Sequence, residues 1–207
     1  MTILLSDAPV SDIPVLECGD PLVGLPRSFG PARATVRARL AERLRHAQAD
    51  LPAGRFLRVV EGHRSVGDQL AIEARYEAEV RAAHPHLGDL DVRRLTSRFV
   101  APVGVAPHVA GAAVDLTLVD RRGRELDLGT PIDATPEESD GRCYFDSPDV
   151  SPEARHHRQI LARALRTAGL VNYPTEWWHW SFGDRYWALI TGAPTALYGP
   201  VTQRLSA

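Results

Sequence analysis

His108 and Asp115 stand seven residues apart in Pro107-His108-Val109-Ala110-Gly111-Ala112-Ala113-Val114-Asp115, and Glu176-Trp177-Trp178-His179 follows far downstream. Two imidazoles and a carboxylate are a usual ligand set for a catalytic zinc ion, which keeps its fourth position for water. Glu176, three residues before the last histidine, is a carboxylate suited to take the proton from that water. These residue types point to a zinc hydrolase with His108, Asp115 and His179 as ligands and Glu176 as general base.

The spacing sets conditions on the backbone. Ligand atoms lie about 2.0 to 2.2 Å from the ion, whereas seven extended residues span roughly 23 Å. The chain must therefore fold back between His108 and Asp115. Ala110-Gly111-Ala112 allows this, because Gly111 accepts unusual backbone angles and its small neighbours permit close approach. Asp115 is expected to open a strand on which Leu116 and Leu118 face one side, and Asp115 and Thr117 the other. Glu176 and His179 would point to opposite faces of a regular strand, so a helical turn or bulge is expected there. Each motif alone also has a plain reading: a surface histidine and a strand aspartate that never meet, or a core run of Trp177, Trp178 and Trp180 with incidental polar neighbours.

The elements that must position these groups are partly visible. Residues 1–30 read as an irregular arm with one strand, rich in Pro, Gly and Asp. Val36, Leu40, Leu44 and Ala47 predict an amphipathic helix over 32–50. Residues 55–61 predict a strand, 66–83 a second helix ending near Pro85, and 115–120 a strand followed by a turn at 121–124. Residues 129–150 read as a long loop of the kind that carries function. Ser151-Pro152-Glu153 starts a helix with a cap, an N1 proline and an early acid. Its apolar stripe is Ile160, Leu161, Ala164 and Leu165, and Gly169 ends it. The aromatic segment 177–187 is expected to hold a last strand. This order predicts a single α+β domain at 31–207, with helices packed on an antiparallel sheet and the zinc site in a cleft.

The composition is that of a soluble globular chain. It has 207 residues, 44% apolar and 24% charged, with a net charge of −2. That balance argues against nucleic acid or an anionic membrane as partner. All 24 basic residues are arginine, so no lysine is present to form a Schiff base or act as general base. Cys18 and Cys143 lack CxxC spacing and read as reduced thiols. The first residues lack a basic stretch followed by an apolar one, and no run approaches the ~20 apolar residues of a membrane span, so a cytoplasmic location is expected. His46, His84, His86, His156 and His157 fall on helices or turns and are expected to be solvated.

Taken together, His-x-x-Gly-x-Ala-x-Asp-Leu-Thr-Leu and the later Glu-Trp-Trp-His resemble the zinc D-alanyl-D-alanine dipeptidases of vancomycin resistance, within the wider group of D,D-peptidases acting on cell-wall peptides. The resemblance covers roughly residues 55–182. It implies one Zn2+ per chain and a small D,D-dipeptide as substrate. It assigns the zinc ligands to His108, Asp115 and His179 and the general base to Glu176. By the same resemblance Arg64, in Glu61-Gly62-His63-Arg64-Ser65, would stabilise the oxyanion. Asp133, in Leu128-Gly129-Thr130-Pro131-Ile132-Asp133, would hold the substrate ammonium. The chain departs from the family where Ala106 and Pro107 replace serines and where His63 and Ser65 flank Arg64 in place of Tyr and Pro. Two alternatives stay open: a D,D-carboxypeptidase or L,D-endopeptidase on peptidoglycan peptides, and a zinc peptide-binding module without turnover.

Overall fold

The computed structural model describes residues 3–201; residues 1–2 of the expected arm and 202–207 of the expected 31–207 domain lie outside the described residues. In chain order the elements are α1 (Ala8–Ser11), β1 (Leu22–Gly24), a 3-10 turn (Arg27–Phe29), β2 (Thr35–Arg37) and α2 (Ala38–Asp50). β3 (Arg55–Glu61), α3 (Val66–Ala83), α4 (Asp89–Thr96), β4 (Ala113–Asp120) and α5 (Pro152–Thr167) follow. β5 (Val171–Asn172), β6 (His179–Ser181) and α6 (Arg185–Thr191) complete the fold. The predicted α+β class with an antiparallel sheet is what the chain adopts.

β3, β4, β6 and β5 form one sheet in that order, antiparallel throughout. β4 is a central strand and is buried along nearly its whole length. Its two faces divide the chemistry. Val114, Leu116 and Leu118 pack with Leu57 and Val59 of β3, Leu40 and Leu44 of α2, and Leu161 and Leu165 of α5. Asp115 and Thr117 alternate with them on the opposite face. Each large apolar side chain so buried contributes about 1.5–3 kcal/mol, and β4 is therefore held firmly by its apolar face.

α5 starts where its signals place it. The Ser151 hydroxyl accepts from the Ala154 amide at 3.0 Å with Pro152 in the first turn, and Gly169 takes φ +83° just beyond the end. Five elements differ from expectation. The helix expected over 32–50 begins at Ala38, because Thr35–Arg37 pair with Leu22–Gly24 as a short ribbon, and no local pattern announces that distant partner. α4 and α6 had no periodic signal long enough to read, and the two-residue β5 exists only because β6 lies beside it. The aromatic segment contributes only three residues to β6 before Asp184 caps α6, accepting from the amides of Tyr186 and Trp187. No helix among the described residues is long and apolar enough to cross a membrane.

His157 is a further correction. It is buried, not solvated, and its Nδ1 lies 2.8 Å from the Asp127 carbonyl. It directly precedes Arg158, which is also buried on α5. Arg158 is only 1% exposed, and its guanidinium donates to the carbonyls of Leu128, Arg142, Tyr144 and Phe145. Four backbone acceptors satisfy a buried cation without a carboxylate, and they pin the long 129–150 loop to α5. Burial pulls the Arg158 pKa down to about 10, still far above neutrality.

Leu116→Ala should destabilise the fold by about 2–5 kcal/mol, since it opens a cavity between β4 and two helices. Denaturant unfolding of the two proteins measures the difference.

Candidate metal centre

The sheet register brings distant residues into one row. Asp115 on β4 is paired with His179 on β6 and with Glu61 on β3. Directly opposite residues of antiparallel strands place their side chains on the same face, about 4.5–5.5 Å apart at Cβ. A shift between Val59 and Glu61 adjusts the end of β3 into this row.

His108 reaches the row from a tight turn. The Gly111 amide donates to the His108 carbonyl at 2.9 Å and the Ala112 amide to the Pro107 carbonyl at 3.0 Å, with Gly111 at φ +66°. A Cβ at Gly111 would lie 2.5 Å from Leu22 Cδ2, so the fold-back requires glycine there twice over. His108 Nδ1 lies 2.8 Å from the Gly62 carbonyl. Donation to that carbonyl fixes the tautomer and leaves Nε2 free as a ligand. Gly62 comes so close to β2 that a Cβ would sit 2.5 Å from the Thr35 carbonyl oxygen.

Three donor groups then converge. His108 Nε2 and His179 Nδ1 are 3.1 Å apart, His179 Nδ1 and Asp115 Oδ1 3.1 Å, and His108 Nε2 and Asp115 Oδ2 3.3 Å. A tetrahedron with bonds of about 2.0–2.1 Å has edges of roughly 3.3 Å. Two nitrogens and a carboxylate that turns one oxygen to each histidine gather on the scale of one tetrahedral divalent ion, with one ligand atom from each residue within 4.8 Å of the others, and all three residues are buried. Burial works against a charge on His108, but the adjoining Asp115 carboxylate outweighs it and raises the imidazole to about 9. Burial likewise opposes ionisation of Asp115, and the two histidines reverse this, holding it well below the usual carboxylate range.

Glu176 arrives by a turn, as the spacing required. The His179 amide approaches the Glu176 carbonyl at 3.3 Å. Asn172 Nδ2 donates to the carbonyls of both Glu176 and His179 at 2.9 Å each, clamping the two ends of the turn. Glu176 Oε2 thereby stands 3.8 Å from His179 Nδ1. Burial, then the Asp115 charge, pushes the Glu176 carboxyl up to about 8. The three tryptophans of this segment are buried, as expected.

Arg64 and Asp133 line the same cavity of about 400 Å³ as these four residues. Arg64 Nε donates to Glu61 Oε1 at 2.7 Å, a second nitrogen pairs with Glu61 Oε2, and Nη1 donates to Gln69 Oε1 at 2.9 Å. Gln69 in turn donates to the Ala101 carbonyl at 2.7 Å. Asp133 is exposed in the cleft at φ +65°. Crowding by the protein, then the charges of Asp115 and Glu61, raise its pKa. All six residues singled out from the sequence thus face one cavity. The positioning groups Gly62, Asn172 and Gln69 were not singled out, since each acts through a contact that only the fold creates. Glu61 carried a weak signal, three residues before Arg64.

A family model described as D-ala-D-ala dipeptidase (peptidase M15) matches residues 33–191. The chain belongs to this family. It is 35% identical over 94 residues to a Synechocystis D-alanyl-D-alanine dipeptidase, covering 42% of this chain and 38% of that protein. It is 32% identical over 111 residues to an Escherichia coli D-alanyl-D-alanine dipeptidase, covering 53% of this chain and 55% of that one. The matches thus span about half the length of these relatives or less. The solved structure of VanYB in complex with D-alanine-D-alanine superposes with a TM-score of 0.50 at 18% identity, covering 88% of each chain, and so shares the fold. The motif resemblance to this peptidase family is borne out.

Metal ions and protons compete for His108 Nε2. Divalent metal affinity should therefore rise up to roughly tenfold per pH unit from pH 6 towards 9 and level off once the imidazole is neutral. Calorimetry in buffers of different ionisation enthalpy should show proton release on binding across that range.

Proposed function

We propose that this chain is a zinc peptidase that hydrolyses the amide bond of D-Ala-D-Ala or a closely similar D,D-dipeptide. The observation that carries this reading is the convergence of His108, Asp115 and His179 on one buried point with Glu176 beside it. The family match and the two curated relatives support the substrate class. Residues 31–207 would form the catalytic unit and residues 1–30 an N-terminal arm.

One zinc ion held by His108 Nε2, Asp115 and His179 Nδ1 would supply Lewis acidity and lower the pKa of water in the cleft. Glu176 takes the proton from the attacking water and passes it to the leaving amine. Its burial makes it a stronger base than a surface carboxylate. The Arg64 guanidinium, kept charged and aimed by Glu61 and Gln69, stabilises the negative oxygen of the tetrahedral intermediate. Asp133 accepts from the substrate ammonium and sets the distance from that end to the reacting carbonyl.

Where the family carries serines, Ala106 and Pro107 border the cavity here. They offer no side-chain hydroxyl to the substrate, so orientation falls more heavily on Arg64 and Asp133.

Glu176→Ala should retain close to one zinc per chain while turnover of D-Ala-D-Ala falls at least ~100-fold. Metal analysis and a dipeptide cleavage assay on the same preparation check both halves. Undiminished turnover would remove Glu176 from the mechanism. His108→Ala should instead lose the ion.

A further inference from the structure

The turn that carries His108 points its next three carbonyls away from itself. The Val109 carbonyl accepts from the Val201 amide at 2.9 Å, and the Gly111 carbonyl from the Arg37 amide at 2.9 Å. The Ala110 carbonyl between them accepts from Arg37 Nε at 2.8 Å. All three turn residues are buried, so a lost donor would leave a buried acceptor unsatisfied. The position of His108 is therefore set from outside its own turn.

One side chain gathers these supports. Arg37 is 6% exposed. Besides Ala110, its guanidinium donates to the Asp20 carbonyl at 2.7 Å, to Glu17 Oε2 at 3.1 Å and to the Gly199 carbonyl at 3.2 Å. Glu17 Oε2 also accepts from the Gly199 amide at 2.9 Å. The Tyr198 hydroxyl donates to Asp20 Oδ2 at 2.6 Å. Residues 17–20 and 198–201, from opposite ends of the described chain, are thus laced around the guanidinium that holds the histidine turn. Both stretches lie outside residues 33–191, the part matched by the family model. Neither borders the metal cavity, so they act on it at a distance.

We propose that Arg37 is a positioning residue for the metal ligand His108, and that docking of residues 17–20 and 198–201 around it sets how tightly the centre holds its ion. The inference rests on the metal centre of the reading above and adds a remote control of its affinity. A loosened turn would spread His108 Nε2 over many positions, and only the fraction at ligand distance binds. The linkage is reciprocal: whatever factor docking adds to ion affinity, the ion adds to docking. Ion binding therefore also suppresses local opening of the two stretches, although neither supplies a ligand.

The test measures zinc affinity by competition with a chromophoric chelator, alongside the visible spectrum of the Co2+ form, which reports ligand geometry. Arg37→Met should weaken zinc binding at least ~10-fold, the scale for a group that orients a metal ligand, and should alter the Co2+ spectrum. Arg37→Lys keeps one donor for the Ala110 carbonyl and should recover part of the loss. Glu17→Ala leaves Arg37 in place and removes a half-exposed partner; it should weaken binding about threefold. Thermal midpoints of the metal-free proteins show whether each variant is folded. If Arg37→Met does not fold, Glu17→Ala and hydrogen exchange of the wild type decide. In the wild type, zinc should slow exchange of the Cys18, Gly199 and Val201 amides. Zinc affinities unmoved in folded variants, or protection confined to the ligand strands and the His108 turn, overturn the proposal. Wild-type protein that binds no zinc sinks the metal reading along with it. Zinc-loaded wild type that leaves D-Ala-D-Ala intact sinks the peptidase reading alone.

Discussion

The antiparallel register of β3, β4 and β6 is the constraint from which the site follows. It sets Glu61, Asp115 and His179 side by side across three strands, although the outer two are separated by more than a hundred residues of chain. A slip of one residue would turn Asp115 towards the helices and carry Leu116 into the cleft. The apolar face of β4 prevents that slip. Val114, Leu116 and Leu118 are buried against α2 and α5, so the hydrophobic face that stabilises the sheet also decides which side chains point into the cleft. Stability and chemistry share a strand and use opposite sides of it.

The row of strand residues would be incomplete without elements that enter from outside the sheet. His108 comes from the turn before β4, and Arg37 secures that turn. The Arg37 side chain donates to the Ala110 carbonyl at 2.8 Å and its backbone amide to the Gly111 carbonyl at 2.9 Å. The same guanidinium reaches the carbonyls of Asp20 and Gly199, tying the arm and the C-terminal segment to the turn that carries His108. Gly62 and Asn172 orient His108 and the Glu176–His179 turn through backbone contacts. A rigid frame matters here because ligand atoms displaced by a few tenths of an ångström no longer match a tetrahedral ion.

The walls of the cleft are built differently from its floor. The floor is sheet. The walls are α3, the segment after α4, and the loop held by Arg158. These parts carry the groups that would meet a substrate away from the reacting bond. The loop is irregular in backbone yet fixed by buried hydrogen bonds, which lets Asp133 occupy a left-handed conformation at a defined place.

The sequence alone determined the kind of chemistry, because residue type and order are enough to recognise two imidazoles, two carboxylates and an arginine. It also determined β3, α3 and α5, whose periodicities and caps are local. Gly111 was legible as the point of fold-back, since a reversal between His108 and Asp115 was a necessity of distance. The tertiary structure alone decided that β2 replaces the start of a predicted helix, that His157 is buried beneath a loop, and that Gly62, Asn172 and Gln69 aim the reacting groups. Each of these depends on a partner far away in the chain, and a contact between remote segments leaves no periodic trace in either one.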